Sequence, residues 1–573
     1  MLDDTFVIRL VFLKLKDIHV LLTSTTFDGR RVRLAERVSH EGSNVVTILM
    51  GSNGCGKSRL FQVICSTFIN HFHFNDIRHN LRDVENLISD FEEVSYIIDN
   101  DLYLIAREKR TFSGEYNLGN GKYVRFISCY PYEPSELIID TNSDNKEDVK
   151  SLASFFLNDI QERLNSLFIT KNSNPTSDIK FPKKILAVTG SPYDKFPFSN
   201  SYSINEIKAP YVYLGSRPKR YAGSRFNRGY LSFKFDQLGA SFIKLLLKPK
   251  QEYVDFTVIF NLLNLSSEFE LKLSLNERVR QEDLTLERVL DMVRGVKFMK
   301  NKEHEHDLEQ GEKEELSQKL LDAFDSVFGG KLDGSDRYFE PIPISCIIDL
   351  NSDQEDREYL NSLALLSEFD LIDLEDVKFK KRDTSNSFYL SQASSGELSL
   401  LFTMSSIAGE IEDNSIILID EPELSLNPEW QLKFLPLLND IFSNYRHCHF
   451  IIATHSPNIV STVPKNNSYI VDLGSPTCDI YESSKYHNRS SDYQLAMLFK
   501  SPGFKNEYLI SESIDILNKL SKPFSESPEM LTELTERAEL LFNLREYLDD
   551  EDPVLRLINT IKRALEVVRS EYE

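Results

Sequence analysis

The chain has 573 residues, 41% hydrophobic and 27% charged, with a formal net charge of −23. That is a globular composition long enough for several domains, and the acidic surplus excludes bulk electrostatic adhesion to nucleic acid or anionic membrane. No charge-free apolar run reaches the roughly 18–20 residues of a membrane span, and six scattered cysteines without a C-x-x-C pair read as reduced thiols of a cytoplasmic protein.

The opening MLDDTFVIRLVFLKLKDIHV places acids first and breaks its apolar stretch with lysines, so no signal peptide is expected there. Residues 44–50, NVVTILM, predict a strand buried on both faces. GSNGCGKS follows, then a helical RLFQVICSTFI, which is the strand–loop–helix context of a phosphate-binding loop. Backbone N–H groups of Asn53, Gly54, Cys55 and Gly56 are expected to wrap phosphates, Lys57 to bridge the β- and γ-phosphates of ATP, and Ser58 to ligate Mg²⁺. Residues 77–170 alternate helical and strand-like stretches, and KKILAVTGSPYDKFP at 183–197 predicts a further strand.

Residues 217–250 carry nine basic side chains against the single acid Asp236. This local charge reversal reads either as a solvated face or as a phosphate-backbone contact for a nucleic-acid partner. Residues 250–330 are mostly helical in period, and the charge run KNKEHEHDLEQGEKEE at 300–315 reads as a solvated connection. Within that run His304, His306 and Asp307 are a weak metal candidate.

Near residue 390 the sequence turns informative again. In LSQASSGELS, Ser394, Ser395, Gly396 and Glu397 open a helix, and free N–H groups with the helix dipole favour an anion. IILIDEPE at 416–423 delivers Asp420 and Glu421 to a strand's carboxyl end, where ligands sit in open α/β sheets. Asp420 is expected to hold the Mg²⁺ shell and Glu421 to accept a proton from the attacking water. FIIATHSP at 450–457 predicts another strand, ending at His455, which can touch a γ-phosphate. Beyond residue 500 the sequence is helical. Leu534, Ala538, Leu541 and Tyr547 form one apolar stripe, and Leu555, Ile558, Ile561 and Leu565 a second, so the two helices flanking DDEDP should pack as a hairpin.

GSNGCGKS, SSGELS, IILIDEPELSLNPEW and ATHSP together resemble the ABC-class ATPases, in the soluble branch that includes structural-maintenance, recombination-repair and OLD-type enzymes. The resemblance covers residues 44–68 and 385–460. It implies an α/β fold, an ABC-type ATPase head with a mixed β-sheet and flanking helices, carrying a helical insertion and a helical C-terminal extension. Within that plan the N-terminal lobe is expected over 1–235, the mainly helical insertion over 236–340, the second lobe over 341–499 and the extension over 500–573.

In the family, the SSGE of one protomer closes over the ATP held by its partner. The resemblance therefore implies a head-to-tail homodimer in which Ser395 and Gly396 read the partner's γ-phosphate, with His455 beside Glu421 in the catalytic pair. The family's S-L-H-P reads Ser425-Leu426-Asn427-Pro428 here, and Asn427 can hydrogen-bond across such an interface without carrying charge. The glutamine loop is not identifiable, and Asp194 is the position assigned to its role.

The insert has no sustained heptads, so the long coiled-coil arms of chromosome-organising relatives are not expected. The SPYDKFP loop, the approach KRDTSNSFYLSQASSGELSLL and the C-terminal extension look most like PtuA-type ATPases of Septu antiviral systems, some of them attached to retrons. That likeness implies a separate HNH-type nuclease, and in retron versions a reverse transcriptase with its branched RNA–DNA. The expected function is thus an ATP-binding and hydrolysing subunit that gates an effector nuclease in phage defence. The alternative is a DNA repair or recombination ATPase. A self-sufficient nuclease and an ATP-holding scaffold without turnover remain as further readings.

Overall fold

A computed structural model of the chain describes residues 21–27, 29–35, 44–72, 93–99, 101–107, 111–119, 122–129, 167–172, 174–175, 180–191, 193–197, 210–215, 217, 238–239, 241–245, 247, 257–275, 310–328, 343–349, 357–369, 371–383, 386–521 and 528–572. The charge run at 300–315 lies outside them up to residue 309, with His304, His306 and Asp307. Most of the basic segment does too.

The central sheet has seven strands, in the order Tyr211–Leu214, Ile185–Thr189, Ile416–Asp420, His449–Ala453, Val45–Met50, Ser468–Asp472 and Asp479–Glu482. All neighbours run parallel except the last pair. Parallel strands covered on both faces need near-continuous apolar sequence. VVTILM, IILID and HFIIA meet that need and are buried at every position.

The pleat sends alternate side chains to opposite faces. Ile417 and Ile419 join one core with Leu400, Leu401, Phe434 and Leu438 of helices Ser395–Glu410 and Pro428–Ile441. Ile416 and Leu418 join the other, with Leu60, Phe61, Ile64 and Phe68 of helix Lys57–Phe72. A six-stranded antiparallel sheet covers that helix from outside, placing Val94, Tyr96, Tyr103 and Ile105 in the same core. The Tyr96 ring lies 5.2 Å from Phe68 and 5.5 Å from Tyr103.

On the opposite face a four-stranded antiparallel sheet packs with helices Gln310–Phe328 and Arg357–Glu368. One of its strands, Leu265–Leu275, runs eleven residues through the stretch expected to be mostly helical. The reason is legible in hindsight. In LSSEFELKLSL, Phe269, Leu271 and Leu273 are buried while Glu270 and Lys272 between them are not, a period of two rather than 3.6.

Residues 491–572 build their own core from Leu509, Ile516, Leu534, Ala538, Leu541, Ile558, Ile561 and Leu565. Two stripe positions are corrected. Tyr547 is 42% exposed, because the helix stops at Asn543 and a single 3₁₀ turn carries Arg545–Tyr547. In the last helix Val554, not Leu555, is fully buried. Asp552 of the DDEDP turn is buried and accepts the N–H groups of Val554 and Lys505, so the turn is stitched to the loop before helix Glu507–Leu520. No helix among the described residues is long and apolar enough to cross a membrane.

Candidate active site

Three adjacent parallel strands, Ile416–Asp420, His449–Ala453 and Val45–Met50, end on one edge of the sheet. The segments leaving those ends carry the acidic pair, the histidine and the glycine loop. Sheet order, rather than sequence order, brings them together.

The glycine loop turns sharply at Gly51, with φ +146. A Cβ there would stand 2.6 Å from the Cys55 sulfur and 3.0 Å from the Gly474 nitrogen, so only glycine fits. Gly56 has φ +104 and hands the chain into the helix beginning at Lys57. Asn53 and Gly54 are exposed at the loop tip, with Cys55 and Gly56 half-buried. Lys57 is buried and donates to the carbonyls of Gly51 (3.1 Å) and Ser52 (3.4 Å). Arg30, which sequence reasoning passed over, braces the loop from the six-stranded sheet. It donates to the Cys55 carbonyl at 3.2 Å and to the Leu473 carbonyl at 3.3 Å.

Asp420 is buried at the end of its strand. Burial pushes its carboxyl up to about 7, the Ser58 hydroxyl that hydrogen-bonds it pulls the other way, and neighbouring Glu421 raises it again. Its Oδ1 is buried without a hydrogen-bond partner among the described residues. A hydroxyl beside a carboxylate with one unmatched buried oxygen is an oxygen donor set that suits a hydrated divalent cation. Glu421 sits at φ +50, a region a non-glycine residue visits only when its surroundings hold it there. Its N–H is tied to the Ala453 carbonyl at 2.9 Å.

His455 lies between the two halves. Its Nδ1 is 3.5 Å from Lys57 Nζ, and its Nε2 is 3.8 Å from Glu421 Oε1. Burial first, then the Lys57 charge, hold the imidazole below its ordinary value, although Glu421 opposes them. The ring is therefore neutral at pH 7, and the 3.8 Å contact is a weak polar one rather than an ion pair. Neutral, with Nδ1 accepting from Lys57, the ring carries its proton on Nε2, toward Glu421.

Ser394 caps the helix Ser395–Glu410, accepting the Glu397 N–H, while the Glu397 carboxylate accepts the Ser394 N–H at 2.9 Å. Ser394 and Ser395 are exposed at that helix start. Gly396 is pressed against the loop after the acids. A Cβ there would meet the Ser425 carbonyl at 2.9 Å and Trp430 at 3.3 Å. Asn427 caps the next helix, its side-chain oxygen accepting the Trp430 N–H at 2.9 Å, which gives the family's departed histidine position a local structural task.

Two sequence assignments change. Asp194 has both oxygens engaged, by Arg217 and the Phe196 N–H on Oδ1 and by the Tyr213 hydroxyl on Oδ2. It is a buried anchor, not a side chain free to sense a cation. Arg217 is correspondingly committed at 2.8 Å to Asp194 and stacked over the Tyr213 ring, so it is withdrawn from the basic segment's candidate phosphate contacts. Lys244 pairs with Glu410. The remaining basic residues of 217–250 lie outside the described residues. Glu423 and Gln431 also bind the histidine loop and were missed. Glu423 lies inside the IILIDEPE motif and Gln431 directly follows IILIDEPELSLNPEW, but neither motif gives them a role, since their partners are backbone and short polar groups.

Residues 46–461 match the family model described as "AAA domain, putative AbiEii toxin, Type IV TA system". Protein ea59 of Escherichia phage lambda is 34% identical over 131 residues, covering 22% of this chain and 25% of that protein. The Retron Ec83 probable ATPase of Escherichia coli is 25% identical over 169 residues, covering 25% of this chain and 31% of that one. The matches thus span between a quarter and a third of the lengths of these curated relatives.

Proposed function

The chain belongs to the AAA-domain ATPase family of that description, and from this premise we propose that it binds and hydrolyses ATP to gate a separate effector nuclease in an antiviral complex. The observation that carries the ATPase half is the meeting of Lys57, Ser58, Asp420, Glu421 and His455 at the carboxyl ends of three neighbouring strands. The backbone N–H groups of Asn53 to Gly56 and the Lys57 ammonium neutralise the triphosphate. Ser58 and Asp420 would hold an Mg²⁺ ion, which would offset negative charge on the triphosphate. Glu421 takes a proton from the attacking water, and His455 orients toward the γ-phosphate.

The exposed Ser394–Glu397 helix start supports a second half-site, presented by one protomer to the nucleotide of its partner in a head-to-tail, ABC-type dimer. Similarity to the retron-associated probable ATPase supports the antiviral setting, with an HNH-type nuclease, and in a retron a reverse transcriptase with branched RNA–DNA, as partners.

The test is ATP binding and turnover by the purified chain, with Mg²⁺ and with chelator, beside Lys57→Ala. Magnesium-dependent turnover that the substitution abolishes, together with lost binding, is the expected result. Binding unchanged in Lys57→Ala would overturn the phosphate-loop assignment. ATP-dependent duplex binding by the isolated chain, without any nuclease partner in the neighbouring genes, would favour the repair reading instead.

A further inference from the structure

The segment after the acidic pair and the segment carrying the histidine are clasped by side chains as well as by the sheet. Glu423 Oε1 accepts the His455 N–H at 2.6 Å, and the Thr454 hydroxyl also hydrogen-bonds this carboxyl. The second oxygen, Oε2, is buried without a hydrogen-bond partner among the described residues. Just beyond the histidine, Ser456 Oγ donates to Gln431 Oε1 at 2.8 Å and Asn458 Nδ2 to the same oxygen at 3.1 Å, while the Gln431 amide donates to the Leu426 carbonyl at 3.0 Å.

A bond from a backbone N–H to a carboxylate is roughly twice as strong as a neutral one. This one acts on the backbone nitrogen of the residue whose ring must reach both Lys57 and Glu421. With the Glu421 N–H on the Ala453 carbonyl before the histidine and the Ser456 hydroxyl on Gln431 after it, the two segments are joined on both sides of the histidine's Cα. The imidazole then has little freedom except rotation about its own side-chain bonds.

We propose that Glu423 is a positioning residue: by gripping the His455 N–H it holds the imidazole in the gap between Lys57 and Glu421, and it acts on turnover through that histidine. The inference rests on the ATPase reading for its kinetic consequence, though the clasp can be measured without it. Glu423→Ala removes the acceptor, Glu423→Leu removes it while keeping bulk, and Glu423→Gln keeps an acceptor oxygen.

Steady-state kinetics should show kcat lowered about 10- to 100-fold in the Ala and Leu variants, the scale of an ångström-sized misplacement. KM should stay within about threefold, and Glu423→Gln should recover at least about half of the wild-type kcat. Unchanged kcat in the variants lacking an acceptor, or a Gln variant as impaired as they are, would overturn the proposal. So would an effect confined to KM.

Amide hydrogen exchange of the peptide 449–461, followed without nucleotide, separates this inference from the ATPase reading. Exchange should be faster in Ala and Leu and near wild type in Gln. Unaltered exchange overturns the clasp whether or not the chain hydrolyses ATP. Altered exchange in a chain whose wild type binds ATP without turnover keeps the clasp and removes the ATPase reading.

Discussion

Glu421 and His449 show how differently a side chain can be used one strand apart. Glu421→Gln preserves shape and removes the proton acceptor, so nucleotide binding should persist while turnover falls by at least about 100-fold, the usual scale for a general base. Phosphate-release kinetics checks this, and unimpaired hydrolysis would eliminate Glu421 as the base. His449 is wholly enclosed and structural. Its Nδ1 accepts the Leu22 N–H at 3.2 Å, and its Nε2 meets the Thr47 hydroxyl at 2.9 Å, so one ring ties both sheets together. Burial lowers it from 6.5 to about 3. The native state therefore refuses a proton that the unfolded chain accepts. The resulting stability is complete above pH 6.5 and is lost as pH falls toward 3, by about 1.4 kcal/mol per pH unit. Urea midpoints between pH 7 and pH 5 should fall more steeply in the wild type than in His449→Gln.

At the scale of elements, the helix Pro428–Ile441 depends on Asn427 as its cap. Asn427→Ala should cost about 1 kcal/mol of stability, read from denaturant midpoints. The same substitution tests whether Asn427 also serves across a dimer interface, since a cap alone leaves ATP-dependent association intact. In the C-terminal bundle, Leu541→Ala should cost about 2–5 kcal/mol, because Leu541 is fully packed, whereas Tyr547→Ala should cost little. Elements were legible where chemistry constrains spacing. The glycine loop, the acidic pair and the histidine each follow a short apolar strand, and that pattern survives without neighbours. The strand Leu265–Leu275 was not, because its less buried face carries Glu and Lys, which mimic a helical polar face when the period goes uncounted. Asp194 was misread for a different reason. Its partner Arg217 lies 23 residues away on another segment, so burial by an ion pair cannot be seen from its own loop. Glu423 was invisible for the same reason, its partner being the backbone of His455.

For the whole molecule, the bundle's separate core sets where a truncation can fall. Cutting at residue 525 would strip Leu534, Ile558 and Ile561 from Leu509 and Ile516 and leave an open apolar face. Removing 501–573 instead spares every residue of the two cores that flank the central sheet. That deletion should leave ATP binding within about threefold of the full chain, because the glycine loop packs with a different core from the bundle's. Loss of a co-purifying nuclease from the same deletion would mark the bundle as its dock, and retention would exclude that role. The basic segment is better tested by reversing Lys219, Arg220 and Arg225 than by including Arg217, whose loss would unpair Asp194. A flatter salt dependence of nucleic-acid binding, by roughly 0.9 log units per lost contact, is the expected outcome.

The order of the central sheet also governs when this protein can come into being. Val45–Met50, the strand feeding the glycine loop, has both its neighbours near the other end of the chain, and Thr47 meets its partner His449 across 402 positions. On a ribosome adding about 5–20 residues per second, that strand waits some 20–80 s for anything to pair with. Loop closure over such a distance is slow to nucleate, and the waiting segment is a stretch of six residues, five of them apolar, with unpaired edges. Early translation products therefore carry the glycine loop without the paired strands on which it rests. The wait ends only after Ala453 and Asp472 have left the exit tunnel, so the support beneath the glycine loop forms hundreds of residues after the loop itself.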